Sequence, residues 1–509
     1  MVHAIEDEKA VLCAAEQKYV GHRTMGGILD SYPEYQSTVV LDKLRETEYS
    51  YLDEQDHLYL DYTGAGLAAK AQYHEHEARL TSQLFSNPHS LNPTSEASTQ
   101  LVERARMRVL EYFNASPEKY TVIFTQNATG AARLVGEAYP FRRNSKFVLT
   151  FDNHNSVNGI REFACRNHAR TVYVPTQAPD LRVDPTALLS ALAGWWPWKR
   201  DTTKNSHRKR GLFAYPAQSN FSGVRHPLEW VDLAQKCGYD VLLDAAAYLP
   251  TKKLQLSDGN PQPEFLMVSW YKLFGYPTGV GCLIARRDAI ARLSRPWFSG
   301  GTVSAVTVGI PWHTMAQDEA AFEDGTPNFL SIPDVHFGLD WLTRVDVAVI
   351  ETRVRCLTGW FLDRLKCLRH TNGAQMIEIY GPQDNRSRGS TVAFNFIDVT
   401  GKVVDERLVA SESAAARISL RTGCFCNPGG GETAFGLGMQ ALRPLYRISK
   451  TISVDDYVRL VGLSSAGAIR VSFGLASTTT DVDRFMYWAE HTYRDRETPT
   501  AGFPPRGHC

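Results

Sequence analysis

A lysine followed by glycine-rich turns is the most chemically informative feature of this 509-residue chain. Lys272 lies just past an apolar run, and the next apolar run extends from Gly281 to Ala285. An amine enclosed by apolar segments loses its proton more easily than one in water, and a neutral amine can form a Schiff base with an aldehyde cofactor. A buried β-hairpin with a surface lysine would have the same local sequence, so other segments must decide between the two.

The composition is that of an ordinary globular protein, with 43% hydrophobic residues, 22% charged residues and a net charge of zero. It favours neither a nucleic acid nor a membrane surface as partner. We find no apolar run of transmembrane length and no secretion signal, and the nine cysteines form no evident disulfide framework. We therefore expect a cytoplasmic protein with one large domain and one smaller domain.

Alternating strand and helix patterns predict an α/β fold with a mainly parallel sheet and helices on both faces. The predicted strands are 120–125, 146–150, 171–174, 211–215 and 239–243, and the helices include 98–113, 127–137 and 156–166. A long helical stretch over 337–368 then leads into short strands. The prediction is an N-terminal arm over 1–55, a large domain over 56–335, and a small C-terminal α/β domain over 336–509 with the arm packed on it.

Polar residues follow the predicted strands where ligands collect in such a sheet, at the carboxyl ends. Ala128 and Thr129 open a helix after the first strand, and the N–H groups of a helix N-terminus bind phosphate. An ordinary helix cap is the alternative. His154 follows the next strand, where its imidazole can lie on an aromatic ring or serve only as a structural histidine.

The next strand ends add two further groups. Asn220 offers an amide to a phenolic oxygen, and Asp244 ends an apolar strand, where a carboxylate is costly unless it is paired. A pyridinium N–H would be such a partner. Together with Lys272, these strand ends predict a pocket for pyridoxal 5′-phosphate.

Two later segments bear on the type of reaction. Cys424 and Cys426 lie in a glycine-rich loop beside Arg421, and exposure next to a cation favours the thiolate form. Their spacing is a poor zinc site, and we predict no metal. Arg470 lies on a predicted strand, where it suits a bidentate grip on a substrate carboxylate or a surface salt bridge.

One basic, aromatic segment, 195–210, interrupts the sheet pattern. It is compatible with nuclear localisation or RNA binding, but a solvated surface insertion between two strands is the favoured interpretation.

These residues resemble the class V aminotransferases and, within them, the cysteine desulfurases, from about Leu60 to Glu490. The segments Arg421-Thr-Gly-Cys-Phe-Cys-Asn-Pro-Gly-Gly and Tyr215-Pro-Ala-Gln-Ser-Asn-Phe-Ser-Gly look most like the N-terminal domain of molybdenum cofactor sulfurases. Ser299-Gly-Gly-Thr-Val and Phe322-Glu-Asp-Gly-Thr-Pro-Asn are also similar to that family. The resemblance implies the pyridoxal-phosphate-dependent transferase fold type I.

The resemblance also implies a role for each site residue. Lys272 would bind the cofactor aldehyde, His154 would stack on the ring, Asp244 would pair with the ring nitrogen, and Asn220 would contact the ring oxygen. Further implied contacts are to the phosphate, to the substrate carboxylate and to the transferred sulfur: Ala128, Thr129 and Ser269 for the phosphate, Thr326 and Gly301 for the phosphate from a second subunit, Arg470 for the carboxylate, and Cys426 for the persulfide.

The implied activity is a cysteine desulfurase that is active as a homodimer. L-cysteine would give up its sulfur to Cys426, and alanine would leave. In the family that sulfur goes to the molybdenum cofactor, which a further C-terminal domain binds. Here we expect either that a separate protein holds that cofactor or that another acceptor receives the sulfur. The alternative is a lyase or a carbon–carbon bond-forming enzyme of a specialised pathway, which would not need Cys426. Tyr271 departs from the family pattern, since many desulfurases have histidine before the lysine.

Overall fold

The computed structural model describes residues 27–88, 90–193, 209–448, 451–463 and 465–507. Most of the basic segment 195–210 and the first half of the predicted arm 1–55 lie outside these residues. No helix in the described part of the chain is long and apolar enough to cross a membrane.

The strands form one large sheet, one smaller sheet and three two-stranded ladders. In chain order they are β1 Leu58–Tyr59, β2 Tyr120–Thr125, β3 Lys146–Thr150, β4 Arg170–Val174, β5 Thr176–Gln177, β6 Arg182–Val183, β7 Gly211–Pro216, β8 Tyr239–Asp244, β9 Phe265–Ser269, β10 Gly281–Arg286, β11 Val303–Thr307, β12 Trp312–Met315, β13 Ile377–Tyr380, β14 Thr391–Phe396, β15 Ile418–Ser419, β16 Arg421–Gly423 and β17 Ala468–Ser472.

The α-helices range from single turns to a helix of 21 residues. They are α1 Ile28–Ser31, α2 Val40–Glu48, α3 Tyr51–Glu54, α4 Lys70–Ser82, α5 Pro93–Tyr112, α6 Ala128–Ala138, α7 Asn155–Asn158, α8 Ile160–Arg166, α9 Pro185–Ala193, α10 Trp230–Lys236, α11 Trp270–Phe274, α12 Arg287–Ile290, α13 Ile332–Val345, α14 Val347–Cys367, α15 Glu406–Ala415, α16 Pro428–Ala434, α17 Met439–Leu442, α18 Val454–Val461 and α19 Thr479–Tyr493.

The large sheet has seven strands in the order β2-β10-β9-β8-β7-β3-β4, and only β10 runs antiparallel to its neighbours. Alternate residues of its strands face two separate apolar cores: Leu149 and Leu212 pack in one, and Val148 and Phe213 pack in the other. Burial on both faces explains the nearly continuous apolar runs of these strands. The predicted mainly parallel sheet and its five predicted strands are confirmed.

The small sheet has four antiparallel strands in the order β13-β14-β17-β16. The helical stretch predicted over 337–368 consists of two helices, because α13 and α14 are separated at Asp346, whose φ of 70° breaks the helix. The predicted helix 156–166 is likewise two short helices that meet at Gly159. Both stretches keep helical periodicity on each side of the break, so the pattern alone did not reveal it.

The described part of the arm packs on α14. Arg353 of that helix is fully buried, donates to the side chain and the carbonyl of Thr38, and forms an ion pair with Asp42 at 2.6 Å. Tyr32 donates a hydrogen bond of 2.7 Å to Asp363, further along the same helix. The predicted domain boundaries at 55 and 335 stay predictions.

Lys272 lies on the single-turn helix α11, between β9 and the antiparallel strand β10. The helix ends at Gly275, which has φ of 78°. A Cβ atom there would lie 2.2 Å from the backbone nitrogen of Ala68, so the chain needs glycine at this position for two independent reasons.

We expect Gly275→Ala to destabilise the protein, because alanine would add left-handed strain of about 1–2 kcal/mol and would overlap with a neighbouring backbone. Gly259→Ala is the matched control, since its φ is 88° and no atom lies within 4 Å of the added Cβ. Urea unfolding should give a loss for Gly275→Ala that exceeds the control by at least about 1 kcal/mol. Equal losses would contradict the packing argument.

Candidate active site

A cavity of about 350 Å³ opens at the carboxyl ends of the large-sheet strands. It is bordered by the ends of β8 and β9, by the start of α6 and by α11. Seven of the predicted site residues line it: Ala128, Thr129, His154, Asn220, Asp244, Ser269 and Lys272. Tertiary structure therefore brings together residues that are up to 144 positions apart in the sequence, Ala128 and Lys272 being the extremes.

The Lys272 amine is poised as a nucleophile or base. Burial lowers its pKa below the ordinary lysine value; Asp244 opposes this shift, and the Arg470 guanidinium adds to it. The Asp244 side chain is buried, and one carboxylate oxygen accepts a 3.0 Å hydrogen bond from the Ala246 N–H. That is its only hydrogen bond within the described residues, so the carboxylate can accept another donor in the cavity.

The His154 ring has a defined tautomer. Its Nδ1 atom accepts a 3.1 Å hydrogen bond from the Ser156 backbone N–H, so the proton of the neutral ring lies on Nε2. Burial lowers the pKa of His154, and the nearby Lys272 adds to that effect. The Ser156 hydroxyl lies 2.7 Å from the Thr129 hydroxyl, which links the histidine to the start of α6.

The start of α6 is built for an anion. Asn127 caps the helix by accepting a 2.9 Å hydrogen bond from the Gly130 N–H, and α6 is 11 residues long. Ala128 and Thr129 form its first turn at the cavity wall, so their N–H groups and the helix dipole favour negative charge there.

Asn220 lines the cavity but also contacts the cysteine loop. Its Nδ2 atom donates to the Phe425 carbonyl at 2.8 Å, and its Oδ1 atom accepts from Asn427 at 2.9 Å. Asn220 is therefore shared between the pocket and the loop that carries Cys426.

Arg470 lies outside the cavity lining, and its partner is Asp61, a residue that was not among the predicted site residues. The Asp61 carboxylate accepts from Arg470 at 2.7 Å through one oxygen and from Arg421 at 2.8 Å through the other. Arg421 and Arg470 are directly opposed on β16 and β17, where two cations would repel unless a carboxylate lay between them. The acidic residue within the apolar Leu60-Asp61-Tyr62 run was the available signal.

Cys426 is an exposed free thiol, whereas Cys424 is buried and disulfide-bonded. Both Phe425 and Cys426 adopt the left-handed region, with φ of 57° and 53°. Cys426 is not among the residues that line the cavity. The loop nevertheless touches the cavity wall through the Asn220 hydrogen bond to Phe425.

The two residues predicted to act across a subunit interface are not in the cavity. Thr326 is exposed and lines a separate cavity of about 380 Å³, and Gly301 is exposed on a 3₁₀ turn over Gly300–Thr302. Gly279 borders both cavities, which makes them neighbours.

The residues of the cavity fit pyridoxal phosphate. Asp244 has an unused acceptor for a ring N–H, Lys272 supplies an amine of lowered pKa, and the start of α6 supplies phosphate-binding N–H groups. The described residues contain no group of three His, Cys, Asp or Glu side chains that could hold a metal ion.

The sheet order and the pocket at its carboxyl edge define the predicted pyridoxal-phosphate-dependent transferase fold type I. A family model described as aminotransferase class-V matches residues 58–485. The chain belongs to the class-V aminotransferase family.

Individual proteins that are similar to this chain support the same family assignment. The molybdenum cofactor sulfurase of Arabidopsis thaliana is 35% identical over 482 residues, covering 88% of this chain and 57% of that protein. The human molybdenum cofactor sulfurase is 33% identical, covering 88% of this chain and 50% of that protein. The chain thus spans about half the length of these curated relatives. An apo cysteine desulfurase from Thermococcus onnurineus NA1 has the same fold, with a TM-score of 0.70 at 21% identity, covering 89% of this chain and 97% of that one.

We expect Asp61→Asn to cost about 3 kcal/mol, because it leaves the buried Arg470 guanidinium without its anionic partner. Asp53→Asn is the control, since the Asp53 side chain is mostly exposed and its ion pair with Arg45 should contribute little. Chemical denaturation of both variants measures the difference. A loss for Asp61→Asn no larger than that for Asp53→Asn would mean that the shared carboxylate does not stabilise the two arginines.

Proposed function

We propose that this chain is a pyridoxal-phosphate-dependent cysteine desulfurase that transfers sulfur from L-cysteine to Cys426 and releases alanine. The observation that carries the proposal is the hydrogen bond between Asn220 and the Phe425 carbonyl, because it ties a free exposed thiol to the wall of the cofactor-type pocket. When bound, pyridoxal phosphate supplies an electron sink for the bonds around the amino-acid α-carbon.

Each residue of the cavity then has a proposed role. Asp244 would accept the ring N–H of the cofactor, and His154 would stack on its ring. The first turn of α6 and Ser269 would hold the phosphate. The Lys272 amine, whose pKa is lowered by burial, accepts the α-proton of the substrate and later returns a proton to carbon.

The charge around Arg470 supports recognition of an amino-acid carboxylate. Two guanidinium groups, on Arg421 and Arg470, share the single negative charge of Asp61, which leaves one net positive charge. That charge is close enough to Lys272 to lower the pKa of its amine. A single substrate carboxylate would balance the cluster.

Cys426 takes part in the sulfur transfer itself. Its thiolate attacks the sulfur of the bound cysteine, so an S–S bond forms while the C–S bond breaks, and the carbon is protonated to give alanine. We propose that the persulfide sulfur passes to the molybdenum cofactor, since the curated relatives are named for that activity. The cytoplasmic location expected from the sequence is part of the same proposal.

We further propose a homodimer in which the partner copy completes the phosphate site with Thr326 and Gly301. The hairpin β11–β12 supports an interface, because it exposes four apolar side chains together: Val306, Val308, Ile310 and Trp312. A monomer rarely leaves such a cluster in water.

Cys426→Ala should abolish persulfide formation and reduce alanine release from L-cysteine by about 100-fold or more, because the attacking nucleophile is removed. The purified variant should keep the visible absorbance of bound cofactor. Cys165→Ala is the control, since Cys165 is also an exposed free cysteine but lies on α8. Alanine release that does not depend on Cys426 would favour the lyase or carbon–carbon bond-forming alternative.

Ile310→Asp should convert the dimer to a monomer and weaken cofactor retention, because it places a charge in the apolar hairpin interface. Light scattering measures the mass, and dialysis followed by absorbance measures the retained cofactor. Tyr446→Asp, at a strongly exposed side chain outside the hairpin, should change neither. A wild-type monomer that retains its cofactor would rule out the shared phosphate site.

A further inference from the structure

The Cys426 loop is held in a backbone conformation that its residues do not favour. Phe425 and Cys426 are consecutive non-glycine residues with positive φ, a conformation that costs about 1–3 kcal/mol for each residue. Such a conformation persists only where surrounding contacts impose it. The contacts that impose this one lead directly into the candidate cofactor pocket.

Both carbonyls of the strained pair are held by residues at the pocket. The Phe425 carbonyl accepts from Asn220 Nδ2 at 2.8 Å, and the Cys426 carbonyl accepts from the Asn155 N–H at 2.7 Å. Asn220 lines the cavity, and Asn155 directly follows His154, which also lines it. The Phe425 ring is fixed as well, with the Arg470 guanidinium 4.8 Å from its centroid.

Asn427, the residue after Cys426, orients this arrangement. Its side chain is fully buried, and its Oδ1 atom accepts from the Gly430 N–H at 3.0 Å. Because a backbone N–H can only donate, the Asn427 amide has one possible orientation. Its Nδ2 atom then donates to the Asp152 carbonyl at 2.8 Å and to Asn220 Oδ1 at 2.9 Å.

The fixed orientation passes from Asn427 to Asn220. Since Asn220 Oδ1 must accept from Asn427, Asn220 Nδ2 must face the Phe425 carbonyl. That bond uses one of the two Nδ2 hydrogens, and the described residues provide no acceptor for the other. The second hydrogen is the donor that an aromatic ring oxygen in the cavity would require.

We propose that Asn427 is a positioning residue that couples cofactor occupancy to the position of Cys426. It sets the Asn220 amide so that one N–H holds the strained loop and the other serves the ring oxygen of the cofactor. The proposal rests on the proposed function, because it assumes pyridoxal phosphate in the cavity. Since coupling between two sites is reciprocal, a cofactor that fixes Asn220 also fixes the loop, and a released loop weakens cofactor binding.

Asn427→Asp tests the coupling with almost no change in shape. The new carboxylate can still cap α16 at Gly430, but it cannot donate to Asn220 Oδ1 or to the Asp152 carbonyl. We expect the Asn220 amide to turn over, so that its oxygen opposes the Phe425 carbonyl and the loop is released. Asn372→Asp is the matched control, because it makes the same change at an exposed asparagine that caps the Ala374 N–H.

The readout is the rate at which iodoacetamide alkylates Cys426, followed by peptide mass spectrometry with and without added pyridoxal phosphate. In the wild type and in Asn372→Asp, we expect the cofactor to change this rate by about fivefold or more. In Asn427→Asp the ratio should approach one, and the midpoint of the pH titration of the bound-cofactor absorbance should shift. A structural role alone would change stability without removing the ratio.

Asn220→Asp provides a second route if Asn427→Asp does not fold. It keeps the acceptor for Asn427 but removes the donor to Phe425, so the cofactor effect on alkylation should again disappear. A ratio of one in the wild type, or an unchanged ratio in a folded Asn427→Asp or Asn220→Asp protein, would overturn the inference. None of these measurements requires cysteine turnover. A wild type that shows no cofactor absorbance would instead overturn the proposed function, and this inference with it.

Discussion

The site depends on one shared carboxylate. Asp61 lies between two guanidinium groups that face each other on neighbouring strands, and it accepts from both within 2.8 Å. Without it, Arg470 would be a buried cation beside a second cation, which a sheet does not tolerate. The same pairing joins the segment after β1, the strand that leads into the cysteine loop and the C-terminal strand β17. Three distant parts of the chain are thereby fixed around one charge.

Burial is the second constraint on the site, and it acts on Lys272 and Asp244. The low-dielectric surroundings that make Lys272 easier to deprotonate also make an unpaired Asp244 costly. Burying either side chain without a partner would destabilise the fold. A ligand with a ring N–H and an aldehyde would supply a partner for each, the N–H for Asp244 and the aldehyde for Lys272. The polar network of Asn220 and Asn427 is satisfied in the same way, with one hydrogen left over for a ligand.

Much of the sheet and of the pocket lining could be predicted from the sequence, because polar residues that follow apolar strands can be recognised there. Apolar strands of five or six residues, each followed by a polar group, specify both the parallel sheet and the edge at which those groups meet. Lys272, Asp244 and His154 were found in that way, and the cavity contains all three. The helix break at Asp346 was not foreseen, because its φ of 70° has no periodic signature.

The sequence by itself determined the α/β fold class and several of the residues that line the pocket, since both follow from local patterns of apolar runs and the groups that end them. Only the tertiary structure revealed the partners of those groups. Asp61 lies 360 residues from Arg421 and 409 from Arg470, and Asn220 meets Phe425 across 205 residues. Hydrogen bonds and ion pairs act over about 3 Å of space, and no local pattern records which distant residues the folded chain brings within that distance.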